Sequence, residues 1–266
     1  MTDVVFFAGP VILKPAFKQI DWLGRDVKIV PIEGAGSSYF AELAESLRDR
    51  GGRILPTLVQ RYAPGVEIDK IAFAAYSAGH GLLNKLGDND ADRPYIDAMI
   101  LSDATFNAFS TPAKRGYVKY GLDAAAGNCL FVSTTANTTG GTHMTGRDSW
   151  QLVWDAVSEQ TGSWSRQVSP RAPVPEASGG WWKMGSKLYW GSYTQPNSPP
   201  TQGNDLTHEQ HHDLAPAVWQ AYLAPFFAGR LGVPWWTIAS AGLAAGLGGA
   251  WAWKSYMRRS TRSGAQ

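Results

Sequence analysis

Between Lys70 and Gly79 the chain reads Lys-Ile-Ala-Phe-Ala-Ala-Tyr-Ser-Ala-Gly, and no other stretch restricts the fold as tightly. Lys70–Tyr76 is an apolar run of strand length without polar alternation, which suits a strand buried on both faces. Ser77-Ala-Gly-His-Gly-Leu-Leu-Asn-Lys-Leu86 follows at once with a helical pattern. A buried strand that passes directly into a helix predicts a βα unit, and the rest of the chain repeats the theme. Strands are expected at Val4–Ala8 (stopped by Gly9-Pro10), Val27–Ile32, Ile96–Ser102, Asn128–Ser133 and Lys187–Tyr193. Helices are expected where Phe40, Leu43, Ala44 and Leu47 recur, over Ser149–Ser158, and over Leu214–Phe227 with Pro216 in its first turn. Lys14–Leu23 is also compatible with helix. Ile54–Tyr62 is read as helix or loop because of Pro56, and the Pro-, Gly- and Ser-rich residues 163–186 as a loop or lid. Alternating strand and helix predict an α/β fold: a mostly parallel sheet with helices on both faces, plus a C-terminal apolar helix.

Composition narrows the function classes. At 44% hydrophobic and 17% charged, the 266 residues can bury a core of ordinary size and are not a disordered chain. A single cysteine, Cys129, excludes a disulfide framework and a multi-cysteine zinc site. No phosphate loop or dinucleotide fingerprint is present, so no cofactor and no structural metal are expected. The net charge of +2 is too small for a dedicated nucleic-acid binder. That charge belongs to the end of the chain. Lys254, Arg258, Arg259 and Arg262 lie in the last thirteen residues with no acid, which leaves 20 bases against 22 acids in residues 1–253.

Ahead of those bases, Val233–Trp253 carries no charge over 21 residues. As a helix it would span roughly 30 Å, the thickness of a bilayer's hydrocarbon core. Trp235, Trp236, Trp251 and Trp253 stand at its two ends like interfacial aromatics, and Gly242 and Gly246 would allow a close helix–helix approach. The expectation is therefore a domain over residues 1–230 and, over 231–266, a candidate transmembrane helix with a basic tail. The base-rich end favours the inner side of a membrane. The N-terminus lacks the basic and small-residue features of a signal peptide, so the side on which the domain lies is left open.

Ala75-Tyr-Ser77-Ala-Gly79 has small residues two before and two after a serine at a strand-to-helix junction. A serine on so sharp a turn needs small neighbours for the turn to close, and the turn thrusts its hydroxyl out of the sheet. The backbone N–H of Ala78 is then placed to face a reacting carbonyl. A second such donor is expected after the first strand, from Gly9, with Gly34-Ala-Gly36 as a rival. The serine needs a base, and among the five histidines His208 is the choice, with His211 next. Both lie in Asp205-Leu-Thr-His-Glu-Gln-His-His212, after the last strand and ahead of the last helix. His80, three residues after Ser77 on the following helix, points away from the bend and is read as structural, and His143 can line the site. For the acid, Asp103 stands directly at the carboxyl end of the strand after the nucleophile strand. A carboxylate there can orient the imidazole and stabilise its charged form; Asp148 and Asp205 are the alternatives.

Together, Ala-Tyr-Ser77-Ala-Gly-His, Ile96-Asp-Ala-Met-Ile-Leu-Ser-Asp103 and His208 ahead of Pro216, Trp219, Leu223 and Pro225 resemble α/β-hydrolase-fold serine hydrolases. The chain is most similar to esterase- and lipase-like members from bacteria and phages, over about residues 3–227. The resemblance implies that Ser77 attacks an ester, or less readily an amide, while His208 relays the proton and Asp103 supports it. Ala75 in place of glycine and the lack of a His-Gly oxyanion signature depart from the family pattern. A small-molecule, lipid-like or cell-envelope ester would suit a membrane-tethered enzyme. The alternative is a catalytically inactive hydrolase-fold protein with a structural or interaction role in a membrane or virion assembly.

Overall fold

A computed structural model describes residues 2–10, 27–34, 37–104, 107–108, 115–135, 143–144, 146–162, 164–167, 177, 180–193 and 208–229. The chain divides into two compact units, Met1–Phe227 and Ala228–Gln266. Of the second unit, residues 230–266 lie outside the described residues, and with them the apolar segment 233–253. Among the described residues no helix is long and apolar enough to cross a membrane.

The first unit is an α/β fold around one eight-stranded sheet. Its elements in chain order begin with β1 (Thr2–Gly9), β2 (Val27–Glu33), α1 (Ser37–Ser46), α2 (Leu55–Tyr62) and β3 (Ile68–Tyr76). A single 3-10 turn, Ser77–Gly79, then leads into α3 (His80–Asp88), β4 (Ala98–Ser102), β5 (Asn107–Ala108), α4 (Arg115–Ala126) and β6 (Leu130–Thr135). The chain continues through β7 (His143–Met144), α5 (Gly146–Thr161), β8 (Trp164–Gln167), β9 (Gly180–Met184), β10 (Leu188–Ser192) and α6 (His208–Phe227). Across the large sheet the strands lie in the order β2-β1-β3-β4-β6-β10-β9-β8. The six from β2 to β10 are parallel, and β9 and β8 are added antiparallel at one edge.

The apolar runs explain the sheet's centre. Every residue of β4 and β6 is buried, as are Val4 to Gly9 of β1 and Ala72 to Tyr76 of β3. Successive side chains point to opposite faces. One face, with Phe6, Phe73, Leu101 and Phe131, packs against α1 to α5. The other lies under α6, whose Trp219 ring sits 4.7 Å from Phe7 and whose Tyr222 meets Trp181 and Tyr189.

Several expectations need correction. Residues 163–186 are not simply a loop: they contain β8 and β9, and β9 turns into β10 through Gly185. Gly185 has φ of 57°, and a Cβ there would lie 2.1 Å from the Ala125 carbonyl oxygen, so only glycine fits. Helix α4 fills part of the stretch between β4 and β6, with Tyr117, Tyr120 and Ala124 buried at helical spacing. Pro56 stands in the first turn of a real helix, α2, where its missing N–H costs nothing. The residue ahead of that helix, Ile54, has no side chain able to cap it. Its first amides are capped from a distance by the buried carboxylate of Asp92, which accepts from Ile54 N at 2.6 Å and Leu55 N at 3.2 Å. The segment Lys14–Leu23 lies outside the described residues.

Candidate functional site

Strand order reverses between β1 and β3: from β1 the chain first adds β2 on one side and then β3 on the other. In open parallel sheets the crevice at such a switch point, beyond the carboxyl ends of the strands, is where ligands bind. Gly9 ends β1 and Ser77 follows β3, so both flank this crevice.

The backbone at Ser77 is bent sharply. Tyr76 is extended, with φ of −124° and ψ of 138°, and Ser77 turns to φ of 49° before the helical residues begin. A left-handed conformation costs a residue with a Cβ about 1 kcal/mol or more. Among the described residues two non-glycines adopt it, Ser77 and Asp103, the latter with φ of 42°. Close packing holds the bend in place. Gly79 lies against β1, where a Cβ would sit 2.1 Å from the Ala8 carbonyl oxygen, and Ala75 is fully buried. Helix α1 also packs on the turn. Small residues two before and two after the serine are thus a packing requirement.

Asp103 stands beside it. Tyr76 is paired with Ser102 across β3 and β4, so Ser77 and Asp103 are the next residues on strands about 4.8 Å apart. Asp103 is fully buried. Its amide donates to the Thr134 carbonyl at 2.9 Å and to Thr134 Oγ1 at 3.4 Å. Burial and the Asp103 charge push the Tyr76 phenol well above its ordinary pKa. Ala78, half-buried, is in the first turn after the bend, where helical N–H groups have no partner of their own within the helix.

The direction of α6 shows where its histidines are carried. Lys70, near the start of β3, has its Nζ 5.6 Å from the Phe226 ring, whereas Trp219 meets Phe7, which is level with Ala74. Moving four residues up the strands therefore means moving seven residues back along the helix. Helix α6 runs antiparallel to β3. From Trp219 the helix axis rises roughly 16 Å to His208, while the carboxyl edge lies only about 7 Å above Phe7. The helix is therefore level with the edge that carries Ser77 and Asp103 near Leu214, and its first turn lies roughly 9 Å beyond that edge.

His208 and His211 were expected ahead of the last helix; they lie inside it, with Pro216 in its interior. Their side chains fall outside the described residues, as does that of Asp148 in the first turn of α5, and Asp205 lies outside altogether. His143 is in a two-stranded ribbon, β7 against β5. His80 opens α3, where its carbonyl accepts from the Tyr117 hydroxyl at 2.6 Å. The rival oxyanion donor Gly34 spends its amide on the Gly9 carbonyl, at 3.2 Å. Trp181 and Trp190 are core residues, and Trp190 Nε1 donates to Thr135 Oγ1 at 2.9 Å. Trp182 is half-buried and Trp164 exposed. Cys129 is no competing nucleophile, because burial pushes its thiol up to about 12. Thr134 escaped the sequence reading, since its contact with Asp103 depends on strand register rather than on any local pattern. The chain matches no protein-family model, no curated protein and no solved structure, and its site is read from its own geometry.

Proposed function

We propose that the chain is a serine hydrolase of the α/β-hydrolase type, cleaving an ester, or less readily an amide, through an acyl-enzyme. The observation that carries this reading is the left-handed Ser77, held at the switch-point crevice by the contact of Gly79 with Ala8. A structural serine capping an ordinary βα turn gains nothing from that strain. The order of the six parallel strands, with the serine on the strand that follows the reversal, also favours it.

In the proposed mechanism the Ser77 hydroxyl attacks the carbonyl carbon while His208 takes its proton, and Asp103 stabilises the resulting imidazolium. The N–H of Ala78 stabilises the oxyanion, whereas Gly9, read as the second donor, is paired with Glu33 so that its amide turns to β2. His208 then gives the proton to the leaving alcohol as the tetrahedral intermediate collapses, and water activated by the same imidazole releases the acid. His211 as base and Asp148 as acid are the alternatives to be tested by the corresponding alanine variants.

A fluorophosphonate probe should label the folded full chain and should not label Ser77→Ala, and ester turnover in that variant should fall on the order of 10⁴-fold or more. A folded chain that takes no label would overturn the reading and favour the inactive scaffold of a membrane or virion assembly. We further propose that residues 233–253 attach the enzyme to a membrane and that its substrate is lipid-like or a cell-envelope ester. The charge-free length and the flanking tryptophans and bases support this. The full chain should partition into detergent and a 1–230 truncation should not; equal partitioning would refute the attachment.

A further inference from the structure

We infer that the Thr134 hydroxyl is a positioning element for Asp103, an inference that rests on the hydrolase reading. Asp103 leaves β4 in a left-handed conformation that an aspartate tolerates but does not prefer over extended backbone. Something must hold it there. The peptide between Ser102 and Asp103 presents its N–H to Thr134 twice, to the carbonyl at 2.9 Å and to Oγ1 at 3.4 Å. The same hydroxyl donates to the Leu101 carbonyl at 3.5 Å. One buried hydroxyl therefore spans Ser102, tied to the carbonyl before it and the amide after it. Rotation of the Ser102–Asp103 peptide breaks both contacts of the Asp103 amide with Thr134, and the same rotation shifts the Asp103 side chain.

Ser102 supplies the contrast. It is fully buried on the neighbouring strand and opposite Thr134, yet its hydroxyl has no hydrogen-bond partner among the described residues. Of the Ser102 and Thr134 hydroxyls, that of Thr134 contacts the Asp103 amide.

The test uses the full chain and three variants, Thr134→Val, Thr134→Ser and Ser102→Ala. For each, the rate of fluorophosphonate labelling at Ser77 and the exchange rate of the Asp103 amide are measured. Thr134→Val keeps the shape and removes the hydroxyl; it should slow labelling about tenfold and speed amide exchange by a similar factor. Thr134→Ser restores the hydroxyl and should bring both rates back to within about twofold of the wild type, while Ser102→Ala should leave both unchanged. The inference is overturned if Thr134→Val behaves as wild type, if Thr134→Ser is as impaired as Thr134→Val, or if Ser102→Ala is impaired equally. A wild-type chain that takes no label overturns the hydrolase reading instead, and amide exchange alone then decides whether Thr134 holds the bend.

Discussion

Gly79→Ala is expected to destabilise the protein by about 3 kcal/mol or more, the cost of forcing a methyl group into an interior with no room for it. The atoms it would meet are the carbonyl oxygen of Ala8 at 2.1 Å and the carbonyl carbon at 2.5 Å. Both belong to a strand paired on either side, by β2 and β3, so β1 cannot retreat without breaking its ladders. The remaining way out is to lift the start of α3 off the sheet. That movement carries Ser77 with it. The variant should therefore lose Ser77 labelling even under conditions where it is still folded, whereas a merely destabilised chain keeps its labelling rate until it unfolds. Urea denaturation followed by tryptophan fluorescence measures the first effect; a loss below about 1 kcal/mol would show that the contact is soft.

Asp92→Ala should cost about 3 kcal/mol, for a different reason. Asp92 is fully buried and accepts three hydrogen bonds, from the amides of Ile54 and Leu55 and from Arg53 Nε at 3.3 Å. Alanine leaves two amides at the start of α2 without their acceptor, in surroundings where Ile54 and Leu55 are themselves buried, and each such donor costs about 1–3 kcal/mol. Asp92→Asn retains one carbonyl oxygen and should recover about half of the loss. If asparagine is as damaging as alanine, then the charge facing Arg53, not the capping geometry, is what matters. Denaturation midpoints of the two variants, measured at one pH and salt concentration, separate these cases.

These examples mark what is legible in the sequence and what is not. The bend at Ser77 is written locally: an apolar run ends, a serine stands between small residues, and a helical pattern begins. The parallel centre of the sheet is legible for the same reason, since strands buried on both faces must be apolar throughout. Short antiparallel strands at an edge leave no such mark. Strand β8 is exposed along its whole length, and its residues look like those of a loop. Proline misled in two directions. Pro56 argues against a helix that exists, and Pro216 suggests a first turn eight residues after the helix begins. A proline inside α6 forfeits one backbone bond, and the burial of Leu214, Ala215, Val218 and Trp219 outweighs it. Contacts that join distant parts of the chain, such as Asp92 with Ile54 and Thr134 with Asp103, follow from register, which one-dimensional patterns do not encode.

The paired left-handed residues also bear on how this protein could age. Glycine would occupy position 77 with less strain than serine does, and glycine or asparagine would do at least as well as aspartate at 103. A lineage freed from chemical duty would gain robustness by either exchange, and single-base changes reach both glycines from common serine and aspartate codons. The present chain has made neither exchange. It forgoes a small increment of robustness at two adjacent positions, a cost that the proposed hydrolase reading would account for.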